Sequence, residues 1–129
     1  GHHPTAIDAT ISTVRLRYPG RPLVLAIEPL TYHRTAALLE PIAHSCAAAD
    51  RVFVADIFAV RDTDLTITSS AALAAAIDRR GVPAEAPGSV EATADRIADT
   101  LPAGAVVLVM GGGRSTALAT RLAKALEGR

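Results

Sequence analysis

Aromatic side chains are nearly missing: two Phe, two Tyr and no Trp occur in 129 residues, although half of the residues are apolar. A core without large rings must be made from Ala, Val, Leu and Ile, a composition suited to close packing of helices on a sheet. Cysteine is scarcer still. Cys46 is the only one and lies in the apolar helical run PIAHSCAAA, so no internal disulfide can form and a small buried thiol is expected. Net charge is lacking too, because 13 Lys plus Arg offset 13 Asp plus Glu. With no block of like charge, neither nucleic acid nor a membrane surface is an expected partner. No apolar stretch approaches the roughly 20 residues of a membrane span. No basic region followed by a hydrophobic one opens the chain either, and a cytoplasmic location is the expectation.

Hydrophobic spacing divides the chain into alternating helices and strands. Pro4 suits a first helical turn, and Ile7, Ile11, Val14 and Tyr18 follow on one face until Pro19-Gly20. Pro22–Ile27 (PLVLAI) is the continuous apolar run of a strand covered on both faces, closed by Glu28-Pro29. Thr31–Ala49 is helical in pattern, with a kink or two abutting helices predicted at Pro41. Val52–Ile57 reads as a second buried strand and Phe58–Ser70 as a polar loop. A helix from about Ser70 to Arg80 stops at Gly81, Pro83–Ala86 is a short strand, and Ser89 caps a helix carrying Val90, Ala94, Ile97 and Leu101. Ala105–Met110 (AVVLVM) reads as the clearest buried strand, followed by a glycine run and a helix with Leu118, Leu122 and Leu126 along one side. The alternation predicts one α/β domain over 1–129: three layers, with a mainly parallel Rossmann-like sheet and helices on both faces.

Ligands of open α/β sheets bind outside the carboxyl ends of the strands, which selects the segments after Ile27, Ile57 and Met110. After the first strand, Glu28-Pro29-Leu30-Thr31-Tyr32-His33-Arg34-Thr35 gathers a phenol, an imidazole and a guanidinium, and Arg34 could grip a carboxylate through two parallel bonds. The bland alternative is that Thr31 caps a helix and Tyr32, His33 and Arg34 are solvated first-turn residues. After the second strand, Asp56 and Asp62 could orient a basic ligand or pair with Arg34 or Arg61, a plain surface ion pair being the simpler reading. Gly111-Gly112-Gly113-Arg114-Ser115-Thr116 could cradle an anion, pass close to another domain, or simply turn tightly. It lacks the lysine of a P-loop and the glycine spacing of a dinucleotide site. His2 and His3, beside a helix start, could bind a ligand or be a mere cap. No further ligands assemble around them, so no metal site is expected. Nor is a catalytic residue: His44 and Cys46, two apart in one helical run, do not face each other.

Taken in order, GHHPTAI, PLVLAI leading into EPLTYHRT, then DIFAVRD and VVLVMGGG resemble successive landmarks of the carboxy-terminal domain of Mur-type ligases. The nearest likeness is to those of the UDP-N-acetylmuramate:L-alanine type, whose third domain carries Tyr-Gly-His-His-Pro-Thr, Gln-Pro-His-x-Tyr-x-Arg-Thr and Met-Gly-Ala-Gly. The resemblance spans nearly the whole chain. It implies a three-domain parent in which ATP and Mg²⁺, bound mainly by a central ATPase domain, convert a substrate carboxylate into an acyl phosphate that an amino acid's amine attacks. This chain would close over the central domain and bind the amino acid, needing no cofactor itself and being inactive alone. Upstream sugar-nucleotide-binding and ATPase domains are therefore expected. By the same resemblance His2 and Arg34 lie near the amino acid, while His3, Tyr32 and Asp62 support that pocket. Leu30 stands where the family has histidine, Glu28 where it has glutamine, and Gly112-Gly113-Arg114 where it has Ala-Gly-Asp. These departures keep open a tripeptide-recycling or specialised-metabolism ligase, and a non-catalytic nucleotide- or effector-binding module is the alternative of another class.

Overall fold

The computed structural model describes residues 3–59 and 62–127. Four helices start where a side chain accepts an amide of the first turn: His3 before α1 (Pro4–Arg17), Thr31 before α2 (Tyr32–Ala37), Ser69 before α4 (Ser70–Asp78) and Ser89 before α5 (Val90–Thr100). Strands β1 (Leu23–Glu28), β2 (Arg51–Ala55), β3 (Ala84–Gly88) and β4 (Val106–Gly111) fall on the apolar runs, offset by one or two residues from the predicted bounds. The largest offsets are at β2, which ends before Asp56-Ile57, and β3, which runs on to Gly88. Helix α6 (Ser115–Glu127) follows the glycine turn.

The predicted break in the second helical segment is real but lies elsewhere. It divides α2 (Tyr32–Ala37) from α3 (Leu39–Cys46) at Leu38, three residues before Pro41. Pro41 thus occupies the first turn of α3, where an amide would have no partner within the helix, so the ring costs no hydrogen bond. Tyr18 and Leu101, expected on the helical faces, instead cap the ends of α1 and α5.

The sheet order is β3-β2-β1-β4 and all pairs are parallel, a stricter arrangement than the mainly parallel sheet expected. Every residue of β1, which lies between β2 and β4, is buried, whereas β4, expected to be a buried strand, is the sheet edge and is half-buried apart from Met110. Leu23, Leu25 and Ile27 point to the face covered by α1, α3 and α4, while Val24 and Ala26 point to the face covered by α5 and α6. The three-layer expectation holds. Cys46 lies fully inside the first layer, and burial pushes its thiol up to about 12, so it stays protonated and inert.

Because β1 exits toward α2 and α3 on one face and β4 toward α6 on the other, the chain diverges above the β1–β4 pair. That is the topological switch point of the sheet, the place where open α/β folds form a crevice. Core and crevice share strand β1, so Leu25→Ala should cost about 2–5 kcal/mol in urea unfolding. Leu16→Ala, at a side chain 84% exposed on α1, should stay within about 0.5 kcal/mol.

Candidate functional site

The rim beyond β1 and β2 is built by lacing two loops together. The Phe58 amide donates to the Pro29 carbonyl at 2.9 Å, the Thr31 amide donates to the Phe58 carbonyl at 2.9 Å, and Leu30 and Phe58 form a parallel bridge that prolongs the sheet. Immediately beyond, the Asp62 carboxylate accepts from the amides of Tyr32 at 3.0 Å and His33 at 3.1 Å. Thr31 Oγ1 accepts from the Arg34 amide and the Thr31 carbonyl from the Thr35 amide, both at 3.1 Å. All four amides that open α2 are thereby satisfied inside the protein. His33 and Arg34 are the exposed side chains of this turn. A pocket of about 280 Å³, lined by His33, Asp62, Thr63, Asp64 and Ile67, adjoins this turn. It falls just under the roughly 300–1,000 Å³ of drug-sized ligand sites.

At the switch point stands a group whose role the sequence did not disclose. Glu28 is 2% exposed, and its Oε1 accepts from the Arg114 amide at 2.8 Å. Desolvation raises its pKa above the ordinary value, partly countered by the amides of Arg114 and Ser115 and the Arg114 charge. The carboxylate therefore occupies the amino terminus of α6, where an external anion would otherwise bind. A Cβ on Gly111, at φ 145°, would lie 2.5 Å from the Glu28 carbonyl, and one on Gly113 would run into the Phe58 ring. Two of the three glycines are thus demanded by packing at this crevice. Arg114 itself reaches back to Glu91 on α5 with Nη1–Oε1 at 3.0 Å and Nη2–Oε2 at 2.6 Å.

The structure brings Thr31, Tyr32, His33, Arg34 and Asp62 into one turn, and Glu28, Leu30 and Phe58 against Gly111–Gly113. His3 is spent locally, its Nδ1 accepting from the Thr5 amide at 3.2 Å, with the Pro4 carbonyl accepting from Ser45 Oγ on α3. Asp56 is exposed, and its amide donates to the Gly88 carbonyl. His2 and Arg61 lie outside the described residues. A charged residue ending an uninterrupted apolar strand was the one signal that could have drawn attention to Glu28.

Residues 1–113 match the family described as "Mur ligase, glutamate ligase domain". The chain belongs to the Mur ligase family. It is 40% identical over 121 residues to a UDP-N-acetylmuramate--L-alanine ligase of Acidithiobacillus ferrooxidans, covering 94% of this chain and 26% of that protein. A ligase of the same name from Chloroflexus aggregans is 34% identical over 126 residues, covering 98% and 27%. This Mur ligase domain thus spans about a quarter of the length of those relatives. Among solved structures, a domain ascribed to a UDP-N-acetylmuramate:L-alanyl-gamma-D-glutamyl-diaminopimelate ligase of Haemophilus ducreyi superposes with TM-score 0.71 at 25% identity, over 98% of this chain and 85% of that one. A murein peptide ligase of Psychrobacter arcticus gives TM-score 0.74 at 22% identity over 100% of this chain and 26% of that one, a likeness of fold.

Two predictions concern the crevice of this Mur ligase domain. Gly111→Ala should destabilise it by on the order of 2–3 kcal/mol, since both the positive φ and the Glu28 carbonyl oppose a side chain. Gly112→Ala, whose methyl would only touch Leu30 at 3.5 Å, should cost no more than about 0.5 kcal/mol in the same thermal unfolding series. Glu28 supplies a pH signature. With its folded pKa raised, its favourable contribution is complete below the ordinary value of 4.5 and is lost as pH rises through the folded value. Glu28→Gln keeps an oxygen for the amides and removes the charge, so wild type should lose stability relative to the variant as pH climbs from acid to neutral. A stability difference that stays constant with pH would refute this assignment.

Proposed function

We propose that this chain is the closing, amino-acid-binding domain of an ATP-dependent ligase of the UDP-N-acetylmuramate:L-alanine type, which forms an amide bond in peptidoglycan synthesis. The observation that carries the reading is the α2 turn. Its amides are consumed by Asp62 and Thr31, which leaves recognition of an amino acid's carboxylate to the Arg34 guanidinium, a group shaped for two-bond contact with a carboxylate. Asp62 then acts as a support that fixes the turn, with Tyr32 and His33 beside it. The family likeness gives His2 and His3 a part in the same pocket as proposed roles. The adjoining pocket suits a small zwitterion better than a nucleotide.

In this reading ATP and Mg²⁺ belong to the central domain of the parent. The Arg114 amide at the glycine turn is held by Glu28. The occupied switch point also disfavours a nucleotide-binding module. What this chain contributes is positioning: closing over the central domain, it holds the incoming amine in line with the activated carboxylate and keeps water out. The glycine turn at Gly111–Gly113 is the part of the rim where a neighbouring backbone could approach that domain. Relatives named for the alanine type at 40% and 34% identity favour that branch over the tripeptide type named for the structural neighbour at 25%. Such a ligase works in the cytoplasm, and among the described residues no helix is long and apolar enough to cross a membrane.

The reading is tested by exchanging the matching quarter of the Acidithiobacillus ligase for this chain and following phosphate release that depends on added L-alanine. Activity is expected, and Arg34→Ala should raise the KM for the amino acid about tenfold or more while leaving the KM for ATP within about twofold. An active chimera whose Arg34→Ala form keeps its amino-acid KM would overturn the assignment of Arg34.

A further inference from the structure

Thr31 is the one non-glycine residue with positive φ among the described residues, at φ 60° and ψ 139°. That region borders the one reserved almost wholly for glycine, and a β-branched side chain fits it worst. The residue persists there because its bonding groups are held from several directions. Its amide donates to Phe58, its hydroxyl accepts from Arg34, and its carbonyl accepts both the amide and, at 2.7 Å, the hydroxyl of the buried Thr35.

The cause lies in the spacing of two clamps. Pro29 and Thr31 are laced to Phe58 as if the sheet continued, yet Tyr32 and His33 are already seized by Asp62 as the first residues of a helix. No residue is left over to make a turn, so the whole change of direction is made at Thr31. If Thr31 relaxed to negative φ, either the Phe58 lacing or the cap on Arg34 would break, and α2 would leave the rim at a different angle. We propose that Thr31 is a positioning residue, held in a strained conformation so that α2 presents His33 and Arg34 toward the incoming amino acid. The inference rests on the amino-acid reading above and adds the residue that tunes its affinity.

The test uses the nitrogen-15-labelled chain, titrated with L-alanine and in parallel with acetate, which carries the carboxylate alone, while the Arg34 side-chain Nε–H resonance is followed. Wild type should show a saturable shift, and Thr31→Ser, which keeps the hydroxyl, should bind within about threefold of it. Thr31→Ala and Thr31→Gly should weaken binding about tenfold or more, with the resonances of β1 and α6 unchanged. A wild-type shift that is retained with equal affinity in Thr31→Ala and Thr31→Gly would overturn the inference alone. Absence of any saturable Arg34 shift in wild type, with either probe, would overturn the amino-acid reading and the inference with it. Should the Ala and Gly variants fail to fold, Thr31→Val, which keeps the branched shape and loses only the hydroxyl, decides: weakened binding supports the inference and unchanged binding overturns it.

Discussion

A single buried carboxylate sets the character of the edge at the carboxyl ends of the strands. Glu28 ends the most deeply buried strand, pairs through its backbone with Gly111 across the β1–β4 ladder, and sends its side chain to the amide of Arg114. Burial opposes the charge, while the helix start it faces favours it. The helix that would receive a phosphate in a nucleotide-binding sheet is therefore already satisfied by a group of the protein. Around it the turn is tight, with Gly111 packed on the Glu28 backbone and Gly113 on the Phe58 ring.

With the switch point filled, the proposed site lies to the side, in the segment between β1 and α2. There too a carboxylate, Asp62, takes up a helix start, and the two cases share a logic: internal acids consume the backbone donors, so under the proposed function recognition falls to side chains. Side chains can change specificity one position at a time, whereas backbone amides recognise any anion alike. Leu30 illustrates the point. It sits in the bridge to Phe58 and against Gly112, where a polar residue would present different chemistry without altering the lacing.

Much of this was legible from the residues alone. The apolar runs Pro22–Ile27 and Ala105–Met110 mark parallel strands, the first covered on both faces, and Ser89 announces a helix start, because burial and capping act through local residue type. The grouping of Tyr32, His33 and Arg34 on a strand-to-helix connection was likewise readable from position in an α/β pattern. Three features were not. The Leu38 break reflects how α2 is held by Asp62 from 30 residues away, and Pro41 only marks where a helix tolerates it. The Glu28 contact spans 86 residues, and the positive φ of Thr31 arises from the meeting of two loops. Each depends on tertiary juxtaposition, to which local pattern is blind.

The distribution of conformational cost follows from this division. The layers away from the rim are ordinary: apolar strands between helices, capped ends, and surface Arg–carboxylate pairs such as Arg121 with Asp95, each of small energetic weight. Unfavourable features gather instead at the carboxyl ends of the strands, in a desolvated acid at 28, a β-branched residue at positive φ at 31 and glycine-only geometry at 111. A rim made by loops alone would be mobile, and its side chains would lose affinity to their own freedom. Lacing the loops to one another and to the last residues of the sheet makes them rigid, and the strain is the consequence of that rigidity. The stability of the two apolar layers is what allows the edge to hold conformations that an isolated peptide would abandon.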